Sequence, residues 1–323
     1  MTGPVPELAV VVLSVGAPPE LRTALESLRR QTVPVELVVV NSGGGDLRSV
    51  LPDDDLDASI VSMPERIWPG AARNIGIRMS RAPWIAFMAS DHVVKSDWAA
   101  ARLGFHRRGH RAVACAVVNS HPRNLYAWAY HCSTLVRRLP GIPRRQASLH
   151  GVSYSRSLFE QHGEFREDLR IGEDTEFNNR LPDADRPLWA PSVQTIHLNP
   201  TTFGHMARSQ YDRGRRAGLY WPHWHQGPFL ARVWTRFAAI SSYACRATRG
   251  LERCLVIASW PLVLTCAWAF SLGVNAARRE LSGREGSPRA QRAGSGTGTA
   301  GRPQLAGDLV PSTAHPDRAD RTG

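Results

Sequence analysis

Short apolar runs alternate with helical patterns along the first 90 residues of the chain. The runs lie at 8–14, 35–40, 60–61 and 84–88. They are rich in Val, Leu, Ile and Ala, which is typical of strands that are buried on both faces of a parallel sheet. Helical spacing of apolar residues follows Pro18-Pro19 and recurs over 69–80. The alternation predicts an α/β fold with a doubly wound, mostly parallel sheet that is flanked by helices.

The pattern continues, with less regularity, to about residue 220. Further strands are expected at 112–118, at the start of 151–159 and within 186–197, and further helices at 124–138, at the end of 151–159 and at 201–219. Because no composition shift interrupts this stretch, we expect 1–220 to form one large domain.

The chain after residue 220 differs in kind. Arginines and aromatic residues mark 221–253 as an amphipathic segment suited to a membrane interface. The next segment, 254–277, has no charge, and its apolar run is about 31 Å long as a helix. We expect a helix there that spans the membrane or lies in its plane, the alternative being a buried core helix. Gly, Ser, Pro and Arg dominate 278–323, which is expected to be a disordered basic tail.

The net charge of +12 sits mainly near the end of the chain. From Leu230 onward there are 13 arginines against 6 acids. Because this excess accompanies the apolar segment, it favours an anionic lipid surface as partner, and we expect no nucleic acid. A nucleic-acid-binding protein is the interpretation that the high isoelectric point alone suggests.

Cysteine usage and the N-terminus both bear on location. The five cysteines are scattered and show no CxxC spacing, so neither a disulfide framework nor a zinc site is expected. The apolar run at 8–14 is too short for a signal peptide. Together with the apolar segment, these features predict a cytoplasmic membrane protein whose large domain lies on the cytosolic face.

Two acids stand where group transfer needs them. Asp91 ends an apolar strand, and Asp174 follows Gly172-Glu173 at the start of a predicted helix. A strand-end acid suits a metal that holds leaving phosphates, and a helix-start acid suits proton abstraction. Ser14 and Asn41 also fall at carboxyl ends of strands, where ligands bind in such sheets. A turn cap for Asp91 and a favourable helix dipole for Asp174 are the structural alternatives.

Four blocks of sequence resemble the family-two glycosyltransferases with the GT-A fold, of the bacterial, membrane-associated type. They are VVVNSGGGD at 38–46, PGAARNIGI at 69–77, WIAFMASD at 84–91, and GVSY at 151–154 together with GEDTEF at 172–177. The resemblance covers about residues 8–220. It implies a nucleotide-sugar-dependent transferase, and its order of blocks is more specific than any block alone.

The resemblance implies a divalent metal, Mn²⁺ or Mg²⁺, at Asp91. The family pattern is Asp-x-Asp, whereas this chain has Ala89-Ser90-Asp91, so one acid is replaced. His197 matches a histidine that completes the metal shell in this fold; a buried structural histidine is the alternative. His92 adjoins Asp91 and is interpreted as structural.

The resemblance also implies that Asp174 is the general base, with Glu173 beside it in the catalytic motif. We expect like-charge repulsion from Glu173 and Glu176 to raise the pKa of Asp174. The base would deprotonate an acceptor hydroxyl that attacks the anomeric carbon, and the sugar would be inverted in a single displacement.

The remaining site residues follow from strand ends and from the same resemblance. Donor-binding candidates are Ser14, Asn41, Ser42, Arg73, Asn74, Gly151, Arg213 and Arg215, and acceptor-binding candidates are Ser153 and Tyr154. A surface ion pair is the alternative for Arg73, and a solvated helix face is the alternative for the arginines at 213–216.

These observations predict an inverting hexosyltransferase-type enzyme. It would use a UDP-, GDP- or dTDP-sugar and a hydroxyl acceptor, a lipid-linked or envelope glycan, at the inner membrane surface. A non-catalytic nucleotide-sugar binder or membrane assembly partner with the same fold is the alternative, because Ala89 replaces an acid.

Overall fold

The computed structural model describes residues 5–51, 57–220 and 227–285 of the chain. The strands are β1 (Leu8–Val15), β2 (Val35–Ser42), β3 (Ala58–Ser62), β4 (Trp84–Ala89), β5 (His92–Val94), β6 (Ala112–Asn119), β7 (Ser153–Ser155) and β8 (Leu188–His197). The helices are α1 (Glu20–Arg29), α2 (Leu47–Val50), α3 (Pro69–Met79), α4 (Trp98–Arg107), α5 (Leu125–Leu135), α6 (Arg156–His162), α7 (Glu173–Arg180), α8 (Phe203–Tyr220), α9 (Phe229–Ala247), α10 (Gly250–Ala258) and α11 (Trp260–Glu285). Single 3₁₀ turns lie at Val136–Arg138, Arg144–Gln146 and Asp183–Asp185.

All eight strands form one mixed sheet in the order β3-β2-β1-β4-β7-β6-β8-β5. The first four run parallel, β7 is antiparallel to both of its neighbours, and β6 and β8 are again parallel to each other. The predicted α/β class is confirmed. The carboxyl ends of β1, β2 and β4 therefore meet at one edge, where a sheet of this kind places its ligands.

Alternate side chains of the strands build a core on each face of the sheet. On one face Val11 and Phe87 pack with aromatic residues from α6 and α7. On the other face Val10 and Val12 pack against α1 and α4. Successive residues of a strand point to opposite faces, so both faces of β1 are covered, as its continuous apolar run predicted.

The last four helices form a bundle on α5. Their core contains apolar residues from α5, α8, α9, α10 and α11. The backbones of α8 and α11 are in contact, because Gly214 and Gly273 have no side chain to hold them apart. A Cβ at Gly214 would lie 1.9 Å from the carbonyl oxygen of Phe270, and one at Gly273 would lie 2.1 Å from that of Tyr211.

The apolar segment differs from its predicted bounds. Instead of one helix over 254–277, the chain ends α10 at Ala258 and begins α11 at Trp260, with Pro261 in the first turn, where its missing N–H costs nothing. The expectation that disorder begins at 278 is wrong for 278–285, which belong to α11. Residues 221–226 and 286–323 lie outside the described part of the chain.

Candidate active site

A cavity of about 200 Å³ opens at the carboxyl ends of β1 and β4. Its walls are formed by Leu13, Arg73, Phe87, Met88, Ala89, His92, Cys115, Val117, Arg138, His150, Gly151, Asp174 and Thr195. The charged and titratable residues in this set come from six separate parts of the chain. The fold therefore brings the helix-start acid and the strand-end motif to one hollow.

Asp174 is buried at the first turn of α7. Gly172 precedes the helix with φ of +86°, a conformation that residues with a Cβ rarely adopt, and it turns the chain so that the helix can begin at Glu173. The backbone N–H of Thr175 donates to Oδ1 of Asp174 at 2.7 Å, and Nδ1 of His150 makes a very short contact with Oδ2. These two contacts fix the carboxylate in place.

The charges around Asp174 oppose the expected pKa change. Burial alone would raise the pKa of this carboxyl, but the contact with His150 and the positive charges of Arg73 and Arg138 hold its pKa well below the usual value. The expectation of a raised pKa is therefore wrong. The cause is that Glu173 is neutralised by Arg73, with which it forms an ion pair, so cations dominate the field at Asp174.

Arg73 lies between the acidic motif and the aromatic core. Its guanidinium pairs with Glu173 and lies 5.6 Å from the ring centre of Phe87 and 5.3 Å from that of Phe165. The side chain is largely buried and lines the cavity. The ion pair is thus an internal one, rather than the surface pair considered for this residue.

Asp91 meets two histidines at the edge of the sheet. The pairing of β5 with β8 sets His92 directly opposite His197. Nδ1 of His92 lies 2.7 Å from Oδ1 of Asp91, and Nε2 of His197 lies 3.4 Å from Oδ2. One ligand atom from each of the three residues falls within 4.8 Å of the other two. We call this set the metal cluster.

The atoms of the metal cluster are suited to a cation. Oδ1 of Asp91 and Nδ1 of His92 are shielded from water and contact each other. Burial alone would raise the pKa of Asp91, but contact with both histidines holds it low, so the carboxylate is ionised. Oδ1 of Asn199 lies 2.8 Å from Nδ1 of His197, so the other ring nitrogen, Nε2, is the one that faces Asp91 and could bind a metal.

Three of the predicted donor-binding residues lie at the ends of β1 and β2. Ser14 is buried, and its hydroxyl has no partner among the described residues. The amide of Asn41 joins two loops, since it accepts from the N–H of Ala17 at 3.0 Å and donates to the carbonyl of Gly44 at 2.7 Å. Ser42 is also buried. None of these three is among the residues that form the described cavity wall.

Gly151 lines the cavity, whereas Asn74 lies away from its wall. Both N–H groups of the Asn74 amide donate, to the carbonyl of Phe165 and to Glu167, so this side chain ties α3 to the segment before α7. It does not reach the cavity wall. Gly151 does line the cavity, and its carbonyl accepts from Arg102 at 2.7 Å.

Ser153 and Tyr154 lie inside the protein, in contrast to their expected position against an acceptor. Ser153 is fully buried and makes hydrogen bonds with Arg102 and His106. Tyr154 packs among aromatic rings and donates its hydroxyl hydrogen to Asn178 at 2.8 Å. The strand that carries them is central in the sheet, and both of its faces are covered.

The two arginines of α8 diverge. The charge of Arg213 acts on Arg138 and helps to lower its pKa, but Arg213 is not among the residues of the described cavity wall. Arg215 turns the other way and forms a bidentate pair with Glu280 of α11, at 2.8 and 2.9 Å. Arg215 therefore joins two helices of the bundle and does not face the cavity.

Three residues of the cavity wall were not assigned to the site from the sequence: His92, Arg138 and His150. His150 immediately precedes the GVSY block, so its position was within reach of the motif. Arg138 ends the predicted helix 124–138 and lies in the 3₁₀ turn that follows α5. It makes no hydrogen bond or ion pair with the described part of the chain. Burial lowers the pKa of Arg138 to about 10, and the charge of Asp174 opposes that change.

Comparison with known proteins agrees with this geometry. The model of glycosyl transferase family 2 matches residues 9–163. The succinoglycan biosynthesis protein ExoO of Rhizobium meliloti (strain 1021) is 30% identical over 198 residues, which are 53% of this chain and 54% of that protein. The putative glycosyltransferase EpsH of Bacillus subtilis (strain 168) is 33% identical over 97 residues, 29% of this chain and 28% of that protein. The chain thus spans about half the length of ExoO and less of EpsH.

Among solved structures, the mannosyltransferase PcManGT from Pyrobaculum calidifontis, in complex with GDP-Man and Mn²⁺, superposes with a TM-score of 0.52. It is 19% identical, and the match covers 84% of this chain and 87% of that one. At this identity the likeness concerns the fold. Residues 9–163, which carry the strand-end motif and most of the cavity wall, thus match the glycosyl transferase family 2 domain, and the fold is of the GT-A type.

Proposed function

We propose that this chain transfers a sugar, with inversion, from a nucleotide-sugar to a hydroxyl acceptor. The observation that carries this proposal is that Asp174 and His92 line the same cavity, while His92 also belongs to the metal cluster. A proton acceptor and a cation site thus face one space about the size of a monosaccharide. Group transfer from a diphosphate needs these two elements together.

Asp91, His92 and His197 would hold a divalent cation. Two nitrogen ligands and one carboxylate suit Mn²⁺ better than Mg²⁺, which prefers an all-oxygen shell. His92 would then occupy the ligand position that Ala89 leaves open. The cation, when bound, supplies positive charge to the leaving diphosphate.

Asp174 would act as the base. As the acceptor oxygen forms its bond to the anomeric carbon, its proton passes to the Asp174 carboxylate. The bond from that carbon to the phosphate oxygen breaks, and the nucleoside diphosphate leaves with the electron pair. A low pKa keeps the carboxylate ionised at neutral pH, and His150 and Thr175 hold it in position for attack from one side of the sugar.

Arg138 would bind the anionic part of the substrate. Arg73 is already paired with Glu173, whereas Arg138 has no anionic partner in contact within the described residues. A phosphate in the cavity would supply that partner through charge-assisted hydrogen bonds. The cluster of Arg138 and Arg213 therefore favours a diphosphate over a neutral sugar as the group bound at this wall.

The relatives support a choice of donor and acceptor classes. ExoO is named for succinoglycan biosynthesis, and the solved mannosyltransferase holds GDP-Man and Mn²⁺. We therefore propose a UDP-, GDP- or dTDP-sugar as donor and a lipid-linked or envelope glycan as acceptor. The transfer would take place at the cytosolic face of the cytoplasmic membrane.

The full chain tests this proposal in two steps. Nucleotide-sugars are first screened by thermal shift with and without Mn²⁺, because a ligand that binds only the folded state must raise the melting temperature. The donor that binds is then used to measure release of nucleoside diphosphate. We expect a Mn²⁺-dependent shift with at least one donor and turnover with that donor. Absence of a shift across the whole panel would contradict the proposal.

A non-catalytic binder is the second candidate, and the replacement at Ala89 favours it. Turnover decides between the two. A donor that binds tightly to the wild type, yet gives no nucleoside diphosphate release above the protein-free background, would establish the binder. Equal release from the wild type and from Asp174→Asn would instead show that Asp174 is not the base.

A further inference from the structure

In helix α9 charged side chains point inward and uncharged ones point outward, which is the reverse of an ordinary surface helix. Its two central arginines point inward: Arg236 donates to the carbonyl of Ser133 at 2.9 Å, and Arg232 bonds to Asn275. Its outward face contains Leu230, Ala231, Trp234, Thr235, Ala238, Ala239 and Ser242. Within α9, which the structure describes completely, this outward face carries no charge before Arg246.

The outward sides of α10 and α11 are similar. Leu251 is 72% exposed and Ile257 is 42% exposed on α10. On α11 the outward residues Trp268 and Leu272 are nearly half-exposed and stand four positions apart, so they share one side of the helix. We call the six large exposed residues of these helices the apolar face: Leu230, Trp234, Leu251, Ile257, Trp268 and Leu272.

Contacts between aromatic rings connect α9 with α11 along this face. The rings of Phe229 and Trp268 meet edge to face, 4.7 Å apart. The ring of Trp234 contacts Phe237, which in turn contacts Trp260. The exposed tryptophans therefore stand beside a single seam. An aromatic-rich apolar surface on a folded domain is a mark of an interaction site.

In this structure α11 packs against the rest of the protein and does not stand apart as a lone apolar helix. The stretch Trp260–Ser282 is long and apolar enough to cross a bilayer, by length and composition, yet half of it is buried within the protein. It packs backbone to backbone on α8 through Gly214 and Gly273. The helix α8 carries four arginines and one aspartate, which cannot accompany α11 into a bilayer without a large cost.

We propose that the apolar face binds an anionic lipid bilayer in the plane of the interface. Arg246, Arg249 and Arg253 are exposed beside it, with Glu252 the one acid among them in α10 and the adjoining turn. Tryptophans that enter the headgroup region and arginines that meet anionic headgroups are what an interfacial protein needs. A second copy of the chain fits less well, because a symmetric contact would bring these arginines near one another. The inference rests on the proposed membrane location and not on the chemistry at Asp174.

Vesicle binding by the full chain tests the inference. The probes are vesicles of phosphatidylcholine alone and vesicles that also contain phosphatidylglycerol. We expect co-sedimentation with the anionic vesicles and a blue shift of tryptophan fluorescence. The double variant Trp234→Gln/Trp268→Gln is expected to lower the partition coefficient by about tenfold or more, because two large side chains no longer enter the lipid. The variant Met79→Gln, which changes an equally exposed residue on α3, should bind as the wild type does.

Substitution of the arginines beside the apolar face gives a second test of vesicle binding. Arg246→Gln/Arg249→Gln is expected to weaken binding by about tenfold on anionic vesicles and to abolish its salt dependence, with little change on phosphatidylcholine. Three results would overturn the inference. The first is that the tryptophan variant binds vesicles as the wild type does. The second is that the wild type is a dimer and only the tryptophan variant is a monomer, and the third is that only detergent releases the protein from vesicles. Donor turnover without vesicles should be the same in all these variants, so a failure here is distinct from a failure of the proposed function.

Discussion

Asp174, which lines the cavity, and Asp91, which precedes the cavity residue His92, have different surroundings. Asp174 is buried, is held by a histidine and a backbone N–H, and lies in the field of two arginines. Asp91 is half-exposed and lies 2.7 Å from Nδ1 of His92 and 3.4 Å from Nε2 of His197. The surroundings of Asp174 fix its carboxylate in a positive field, whereas those of Asp91 bring three potential metal ligands together. The difference supports the proposal of proton transfer for Asp174 and of metal binding for Asp91.

Removal of the Asp174 carboxylate should have the largest effect. Asp174→Asn keeps the size of the side chain but cannot accept a proton, so we expect turnover to fall by about 100- to 10,000-fold. Donor binding in the thermal-shift assay should persist. The control is Asp183→Asn, which changes an exposed acid and should leave turnover unchanged. Equal loss in both variants would point to a folding defect.

Removal of the Asp91 carboxylate should act on the metal. Because it takes the only charge from the metal cluster, Asp91→Asn is expected to weaken Mn²⁺ binding by at least about 100-fold. Titration calorimetry with Mn²⁺ alone measures this without reference to activity. His92→Ala should weaken Mn²⁺ binding as well, and if it does not, the cation is held by Asp91 and His197 only.

Loss of His150 should change the pH dependence. This histidine holds the pKa of Asp174 down, so His150→Gln raises that pKa. A base works only when deprotonated, and the acid limb of the pH–rate profile should therefore move to higher pH. Turnover at neutral pH should fall by about 10- to 100-fold, because the carboxylate is less well oriented. An exposed histidine on α8 supplies the control, His205→Gln, and its profile should match the wild type.

Loss of Arg138 should also raise the pKa of Asp174 and move the acid limb of the pH–rate profile to higher pH. The shift should be smaller than for His150, because Arg138 is among the weaker influences on Asp174. Arg138→Gln should also raise the KM for the donor, while Arg145→Gln, on the exposed segment nearby, should not. An unchanged KM in the Arg138 variant would mean that the anion is bound elsewhere.

The sequence predicted the two acids but not their surroundings. Asp91 and Asp174 lie in motifs, and the strands that carry or precede them were marked by apolar runs. His92 was interpreted as structural, because nothing in its neighbourhood reveals that a three-residue strand, β5, will set it opposite His197. Arg138 ends the predicted helix 124–138, and nothing in that helical pattern indicates that its side chain will line the cavity. Such contacts join positions up to a hundred residues apart, and no local pattern records them.

The two residues expected to bind the acceptor also show how little a local motif says about side-chain position. Ser153 and Tyr154 were assigned to an acceptor because they follow Gly151 in a motif, but they belong to a central strand, and burial decides where their side chains go. A strand of three residues is too short for its pattern of apolar and polar residues to show which side chains point into the core.

We propose that the metal cluster and Asp174 act on one sugar from different sides of one cavity. Crystals of Asp174→Asn with Mn²⁺ and the donor that binds test this directly, through anomalous diffraction at the manganese edge. We expect a manganese peak between Asp91, His92 and His197 and an anomeric carbon that faces position 174. A manganese peak outside this cluster, or a sugar turned away from position 174, would contradict it.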